Sequence, residues 1–388
     1  MTDLVQDVPQ TDIGSPPPFD LGEIEDTPEV VIDRERLQAN IARAAAVAVA
    51  HGVQLRPHVK THKMLEVAAL QIAAGAVGLQ VAKLGEAEVF ARAGIDDIFI
   101  GYPLVGAQKI ERLIELIAGT DATISVAADS IDVALPIAKA AAAAGLQVPL
   151  LIEVDTGLRR LGVQPSEDSL NLARELAELD GIELAGLFTH EGHVYTEARS
   201  VDEKRAMTQA ACAAITETAE RIRADGIPLA TVSVGSSGTF RFSVECDNVT
   251  EVRPGTYVFN DLSQLLQGAA TQIDIAAFVV ATVVGRPEAT RAVIDAGSKV
   301  LTSDRLIVSD PEMTFGSVAG YPGACVTRLS EEHGSVELPP KSDLRVGDRI
   351  AIVPNHICPV INLTDSVSVI ADGVLAERWL VAARGRVQ

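Results

Sequence analysis

Basic side chains are scarce: 32 lysines and arginines face 53 aspartates and glutamates, which leaves a net charge of −21. A chain this acidic repels phosphate backbones and anionic headgroups, and this argues against nucleic acid and membrane surfaces as partners. Cysteine is scarcer still, with four in 388 residues. Cys212, Cys246, Cys325 and Cys358 are scattered and form no CxxC pair, so a disulfide framework is not expected and a reducing compartment is. No apolar run approaches the ~20 residues that a membrane helix needs. The opening MTDLVQDVPQTDIGSPPPFD has acids and prolines where a secretory signal would be basic and then apolar. The expectation is a cytoplasmic protein.

The length is too great for one ordinary core and suggests two domains, one of them a barrel. Residues 1–25 are polar and proline-rich and read as a flexible or draped leader. From residue 26 to 263, short apolar strand candidates alternate with Ala/Leu/Glu-rich amphipathic stretches. The strands fall at 53–56, 78–82, 97–101, 122–127, 148–154, 183–189, 231–234 and 256–259. Glycines 94, 145, 181 and 226 follow helical stretches, where a left-handed stop belongs. Repeated alternation with near-continuous apolar strands is the pattern of a (β/α)8 barrel, with a doubly wound open sheet as the competing topology. Residues 264–388 lose the long helical patterns and read as a second, mainly β C-terminal domain, to which residues 27–33 can add a strand.

In such a barrel, chemistry gathers on the loops that leave the C-terminal ends of the strands. After the first strand comes RPHVKTHK, residues 56–63, which packs two lysines, two histidines and an arginine into eight positions. Pro57 has no N–H and makes a tight, held exit. Crowding by Arg56, His58 and Lys63 is expected to lower the amine pKa of Lys60, and only a free amine attacks a carbonyl. Asp155, Arg159 and Arg160 follow the fifth strand. His190, His193 and Tyr195 follow the sixth, and Gly235, Ser236, Ser237, Gly238 and Thr239 the seventh. Small hydroxylated residues there can turn several backbone N–H groups toward a phosphate. A lysine at one end of a barrel mouth and a phosphate nest at the other point to pyridoxal 5'-phosphate, with Arg160 available to its pyridine nitrogen. In the second domain, His356 and Cys358 in PNHICP share a face if they lie on a strand. A neutral imidazole and a thiolate suit zinc first and manganese second, and His333 is a more distant third candidate.

From Asp26 to Gly385 the chain resembles the fold-type III pyridoxal-phosphate enzymes of the D-threonine aldolase and D-serine dehydratase group, relatives of alanine racemase. The pieces that carry the resemblance are RPHVKTHK, EVDTGLRRLGV, VGSSGT, RPGTYVFND, DAGSK and PNHICPVINL. It implies that Lys60 is bonded to the cofactor's aldehyde and that Arg160 faces its pyridine nitrogen. Gly235, Ser237, Gly238 and Tyr257 would help to hold the phosphate. His356 and Cys358 would bind a divalent metal beside the substrate's β-hydroxyl, in a homodimer that acts on small D-amino acids. Aldolases of the group typically carry His-x-Asp and dehydratases His-x-Cys, as here, so dehydration is favoured and aldol cleavage is the alternative. His190 and His193 are the candidate bases for cleavage, although the His190-Glu191 pair matches no fixed family position. A non-catalytic cofactor carrier would lack the β-domain. A racemase would need an opposing tyrosine, and Tyr321, the only tyrosine in that domain, lacks the expected setting.

Overall fold

A computed structural model describes residues 13–306 and 314–388. The described residues fold as two compact units that interleave along the sequence: residues 44–60, 67–255 and 386–388 form one, and residues 13–43, 61–66, 256–306 and 314–385 the other. No helix among the described residues is long and apolar enough to cross a membrane.

The first unit is a parallel barrel. Its strands are β2 (Gln54–Leu55), β3 (Leu79–Val81), β4 (Asp97–Pro103), β5 (Thr123–Ala128), β6 (Val148–Glu153), β7 (Ile182–Phe188), β8 (Thr231–Val234) and β9 (Glu251–Val252), since β1 (Glu29–Asp33) belongs to the other unit. They pair in parallel in the order β2-β9-β8-β7-β6-β5-β4-β3. The ring closes between β2 and β3 through a His58–Gln80 bridge and through Val77 N–H to Leu55 O at 3.0 Å and Gln80 N–H to Pro57 O at 2.8 Å. Helices cover the outside and the barrel is filled within, so the strands are apolar on both faces. Phe99, Ala127, Leu151 and Phe188 fill part of the interior, with Phe99 and Phe188 edge-to-face at 5.0 Å. Glycines 94, 145, 181 and 226 all adopt positive φ, as expected of left-handed stops.

The eighth strand corrects the sequence reading. It is Glu251–Val252, and Thr256–Val258 forms a single 3-10 turn instead. Pro254, which has no N–H to donate, ends the ladder just after Arg253 has bonded to Val234 O at 3.0 Å. The side chain of Arg253 then runs through the barrel. It is 4% exposed and donates to Gln80 Oε1 at 3.0 Å, to Thr189 O at 2.6 Å and to Ser233 Oγ, so one guanidinium ties four strand exits together.

The second unit is a mainly antiparallel sheet. Its remaining strands are β10 (Ala277–Glu288), β11 (Arg291–Ile294), β12 (Gly316–Val318), β13 (Cys325–Leu329), β14 (Gly334–Glu337), β15 (Arg349–Pro354), β16 (Ser366–Ala371) and β17 (Val374–Leu380). The order is β11-β14-β13-β12-β15-β10-β1-β16-β17, and a further β11–β10 pairing closes six of the strands into a barrel. The N-terminal strand thus sits between β10 and β16, joined in parallel to β16.

The leader is not loose where it is described. Ile13, Phe19 and Ile24 are buried in this unit's core, Phe19 stands edge-to-face on Phe278 at 5.6 Å, and Arg349 donates to the carbonyls of Leu21, Gly22 and Glu25. Prolines 16–18 restrict the unfolded segment, which lowers the entropy lost when its spaced apolar residues pack. Residues 1–12 lie outside the described residues.

Candidate active site

The basic exit after β2 divides its charges. Arg56 does not crowd Lys60 as the sequence suggested. Its guanidinium is held by Asp97 at 2.6 and 3.0 Å and by Glu251 at 2.7 Å, acids that begin β4 and β9. Lys60 sits exposed in the 3-10 turn Val59–Thr61. His58 accepts the Lys60 N–H through Nδ1 at 3.4 Å. Burial, then the nearby charges of Lys60 and Arg253, push the His58 pKa well below the usual range, so the ring is neutral.

His190 is the second neutral imidazole beside this amine. Burial and the charges of Lys60, Arg160 and Arg253 push its pKa well down, and Nε2 meets the Tyr195 hydroxyl at 3.0 Å. The ring of His193 stands against Gly157, which has φ +139°. A Cβ added there would lie 2.8 Å from His193 Nε2, so the glycine leaves room for the ring. Nδ1 of His193 is buried with no partner among the described residues.

At the β6 exit, the Asp155 carboxylate accepts the N–H groups of Gly157 and Arg159, both at 3.0 Å, and folds the loop. Arg160 is exposed, with its nearest acidic atom Glu153 Oε1 at 3.9 Å. The side chain of Glu153 is 7% exposed, and burial, only partly offset by Arg160, lifts its carboxyl pKa to about 7. At the β8 exit, Gly235 takes φ +101° and Ser236 is buried. Ser237 Oγ accepts Gly255 N–H at 3.1 Å, which links the β8 and β9 exits.

The metal candidates also meet, though not on a strand. β15 ends at Pro354. His356 is the extended N-cap of the helix Ile357–Leu363, and Cys358 lies in its first turn. Asn355 anchors this chain by donating to the carbonyls of Asp304 and Thr314, at 3.2 and 2.6 Å. Asp261 Oδ2 accepts Ile357 N–H at 3.1 Å. His356 Nδ1 pairs with Asp304 Oδ2 at 2.8 Å, and Cys358 Sγ bonds to Thr61 Oγ1 at 3.2 Å. Burial opposes charge on both members, but their mutual attraction outweighs it. The imidazole is raised to about 10 by Cys358, Asp261 and Asp304, and the thiol is lowered by His356 and Thr61. His333 is exposed in the β13–β14 turn, and no group of three or more His, Cys, Asp or Glu among the described residues is arranged to hold a metal. The protein therefore offers a pair of donors, with Asp304 orienting the imidazole from behind, as second partners of metal-bound histidines do.

These features converge with the comparisons. The family model described as "Alanine racemase, N-terminal domain" matches residues 32–263, and a putative serine dehydratase domain matches residues 276–370. The chain is 34% identical to D-threonine aldolase of Arthrobacter sp. over 96% of this chain and 97% of that one. It belongs to the D-threonine aldolase and D-serine dehydratase group of fold-type III pyridoxal-phosphate enzymes. A second relative in the group is D-threo-3-hydroxyaspartate dehydratase of Delftia sp. (strain HT23), 37% identical over 86% of this chain and 91% of that one. Among solved structures, a cysteine-to-alanine mutant of D-threo-3-hydroxyaspartate dehydratase in the metal-free form overlays with a TM-score of 0.85 at 34% identity, covering 92% and 97% of the two chains.

Sequence reasoning in this group overlooked Glu153, Arg253, Asp261 and Asp304. The first three stand inside motifs already singled out, EVDTG, RPG and VFND, so a signal existed. Asp304 stands in no motif.

Proposed function

We propose that the chain is a pyridoxal-phosphate- and divalent-metal-dependent lyase of D-β-hydroxy amino acids, a dehydratase that yields a keto acid and ammonia. What supports the dehydratase over the aldolase is the His-x-Cys spacing of His356 and Cys358, whose thiol pKa is lowered by the imidazole beside it. An exposed amine, two neutral imidazoles and a glycine–serine turn at one barrel end suit pyridoxal phosphate. Lys60 would bond it, Arg160 would meet its ring nitrogen, and Gly235, Ser236, Ser237, Gly238, Tyr195 and Tyr257 would surround it.

When bound, pyridoxal phosphate supplies an electron sink for the bonds at the substrate's Cα. Lys60 accepts the Cα proton in dehydration. His190, uncharged and hydrogen-bonded to Tyr195, stands ready to accept a proton from the substrate hydroxyl if cleavage is the reaction, and His193 is the alternative. His356 and Cys358 would hold the divalent cation, whose Lewis acidity favours departure of the β-hydroxyl. Imidazole and thiolate donors make zinc the first choice and manganese the second. A relative captured in a metal-free form supports a metal in the group. A homodimer and a cytoplasmic location complete the reading.

Aldol cleavage is the second reading, favoured by the Arthrobacter relative. Purified protein loaded with pyridoxal phosphate and Zn²⁺ is incubated with D-serine, D-threonine and D-threo-3-hydroxyaspartate. Keto acid and ammonia support dehydration, whereas glycine and aldehyde replace it with cleavage. Neither product from any substrate overturns the lyase reading.

A further inference from the structure

Glu191 has no task in the reaction outlined above, yet it is completely buried at the end of β7. Its carboxylate reaches across to the turn that follows β8. Oε2 accepts Gly235 N–H at 3.1 Å, and Oε1 accepts the hydroxyls of Thr239 at 2.7 Å and Ser243 at 3.1 Å. Three donors from one short segment converge on one acceptor-only group. Arg253 lies close enough for Glu191 to act on its charge, which moderates the cost of burying an anion.

The direction of the protons follows from this anchor. Thr239 has a single hydroxyl proton and gives it to Glu191, so its oxygen can only accept from Ser236. Ser236 N–H reaches Thr239 Oγ1 at 3.1 Å and Ser236 Oγ lies at 2.9 Å, so the Ser236 hydroxyl donates inward. The carboxylate thereby fixes Gly235 at its positive φ and, through Thr239, engages the N–H and hydroxyl of Ser236. Ser237 and Gly238 are left at the crest of the turn, with Ser237 tethered to Gly255.

We propose that Glu191 is the positioning residue that shapes the 235–239 turn into a phosphate cradle. It does not touch the cofactor itself; it selects a phosphorylated cofactor by fixing where the backbone donors of the turn point. This rests on the pyridoxal-phosphate reading above. Because Glu191 directly follows His190, the same anchor sets the neutral imidazole in register with the turn.

Glu191→Gln keeps the shape but cannot reproduce the pattern. Its amide nitrogen faces either the Gly235 N–H, donor against donor, or the two hydroxyls, which must then reverse their protons. The test titrates metal-loaded apo-protein with pyridoxal phosphate and, separately, with pyridoxal, which lacks the phosphate, reading visible absorbance. Inorganic phosphate competition is measured alongside. Glu191→Gln is expected to weaken pyridoxal phosphate by at least about tenfold, the scale of one charged hydrogen bond, and to weaken phosphate competition equally, while pyridoxal binds as in the wild type. Thr239→Val, which removes only the hydroxyl chain, should move the same ratio in the same direction and serves if Glu191→Gln does not fold. Equal weakening of both cofactor forms, or no change in either, overturns the positioning role and leaves the functional reading intact. Wild-type protein that binds neither form overturns the functional reading and this inference with it.

Discussion

Glu153→Gln should make the protein more stable, increasingly so as the pH rises above about 4.5. The Glu153 carboxyl stands at the C-terminal end of β6 with its side chain 7% exposed; Arg160 is 3.9 Å away and itself 56% exposed, and Arg253 adds a weaker attraction. Asp129 and Asp155 add like charge. Burial is the largest influence and lifts the pKa from 4.5 to about 7. A folded-state pKa above the unfolded value means that the folded chain keeps a proton that the unfolded chain has lost. The stability this contributes is complete below about pH 4.5 and disappears as the pH rises through about 7. At pH 8.5 the ionised, buried carboxylate costs up to about 3 kcal/mol relative to acid pH. Glutamine carries no such charge, and the partner it would release, an exposed arginine beyond hydrogen-bond distance, contributes little. Urea unfolding of both proteins at pH 4 and 8.5 is therefore expected to give nearly equal stabilities at the lower pH and a variant more stable by about 1–3 kcal/mol at the higher. Parallel pH dependence in the two proteins, or a variant less stable at pH 8.5, would refute the argument that Glu153 is buried without an adequate counter-charge.

Lys60→Ala should yield colourless protein after reconstitution with pyridoxal phosphate, checked by visible absorbance; yellow protein would move the bond elsewhere, with Lys63 the next lysine in the motif. Chelation should abolish turnover and leave the cofactor absorbance in place, and His356→Ala or Cys358→Ala should lose the metal by elemental analysis; full activity in metal-free protein would remove the pair from the chemistry. Asp261→Ala takes away the acceptor for Ile357 N–H and Gln264 N–H, so a loss of about 1–3 kcal/mol in urea unfolding is expected, together with weaker metal retention because the His356 segment loses its anchor.

Much of the barrel was legible because parallel strands buried on both faces must be apolar throughout, and glycines must stand where helices stop in the left-handed region. Seven strands could be placed this way to within a few residues. The eighth could not, because Glu251–Val252 is two residues long and its neighbour Arg253 is charged; only the ring of strands around it makes that stretch a strand. The leader misled for the opposite reason: a polar, proline-rich composition says nothing about whether three spaced apolar residues will find a core.

The motifs by themselves determined which chemical groups are present: an amine after the first barrel strand, a hydroxyl-rich turn after the seventh, an imidazole and a thiol two residues apart. These are local facts, written in residue type and spacing. Which groups act on each other was decided by the tertiary structure, because hydrogen bonds and charge act over a few ångströms of space whatever the sequence separation. Only folding takes Arg56 away to Asp97 and Glu251, brings Asp304 to His356, and sets a buried Glu191 under a turn more than forty residues further along the chain.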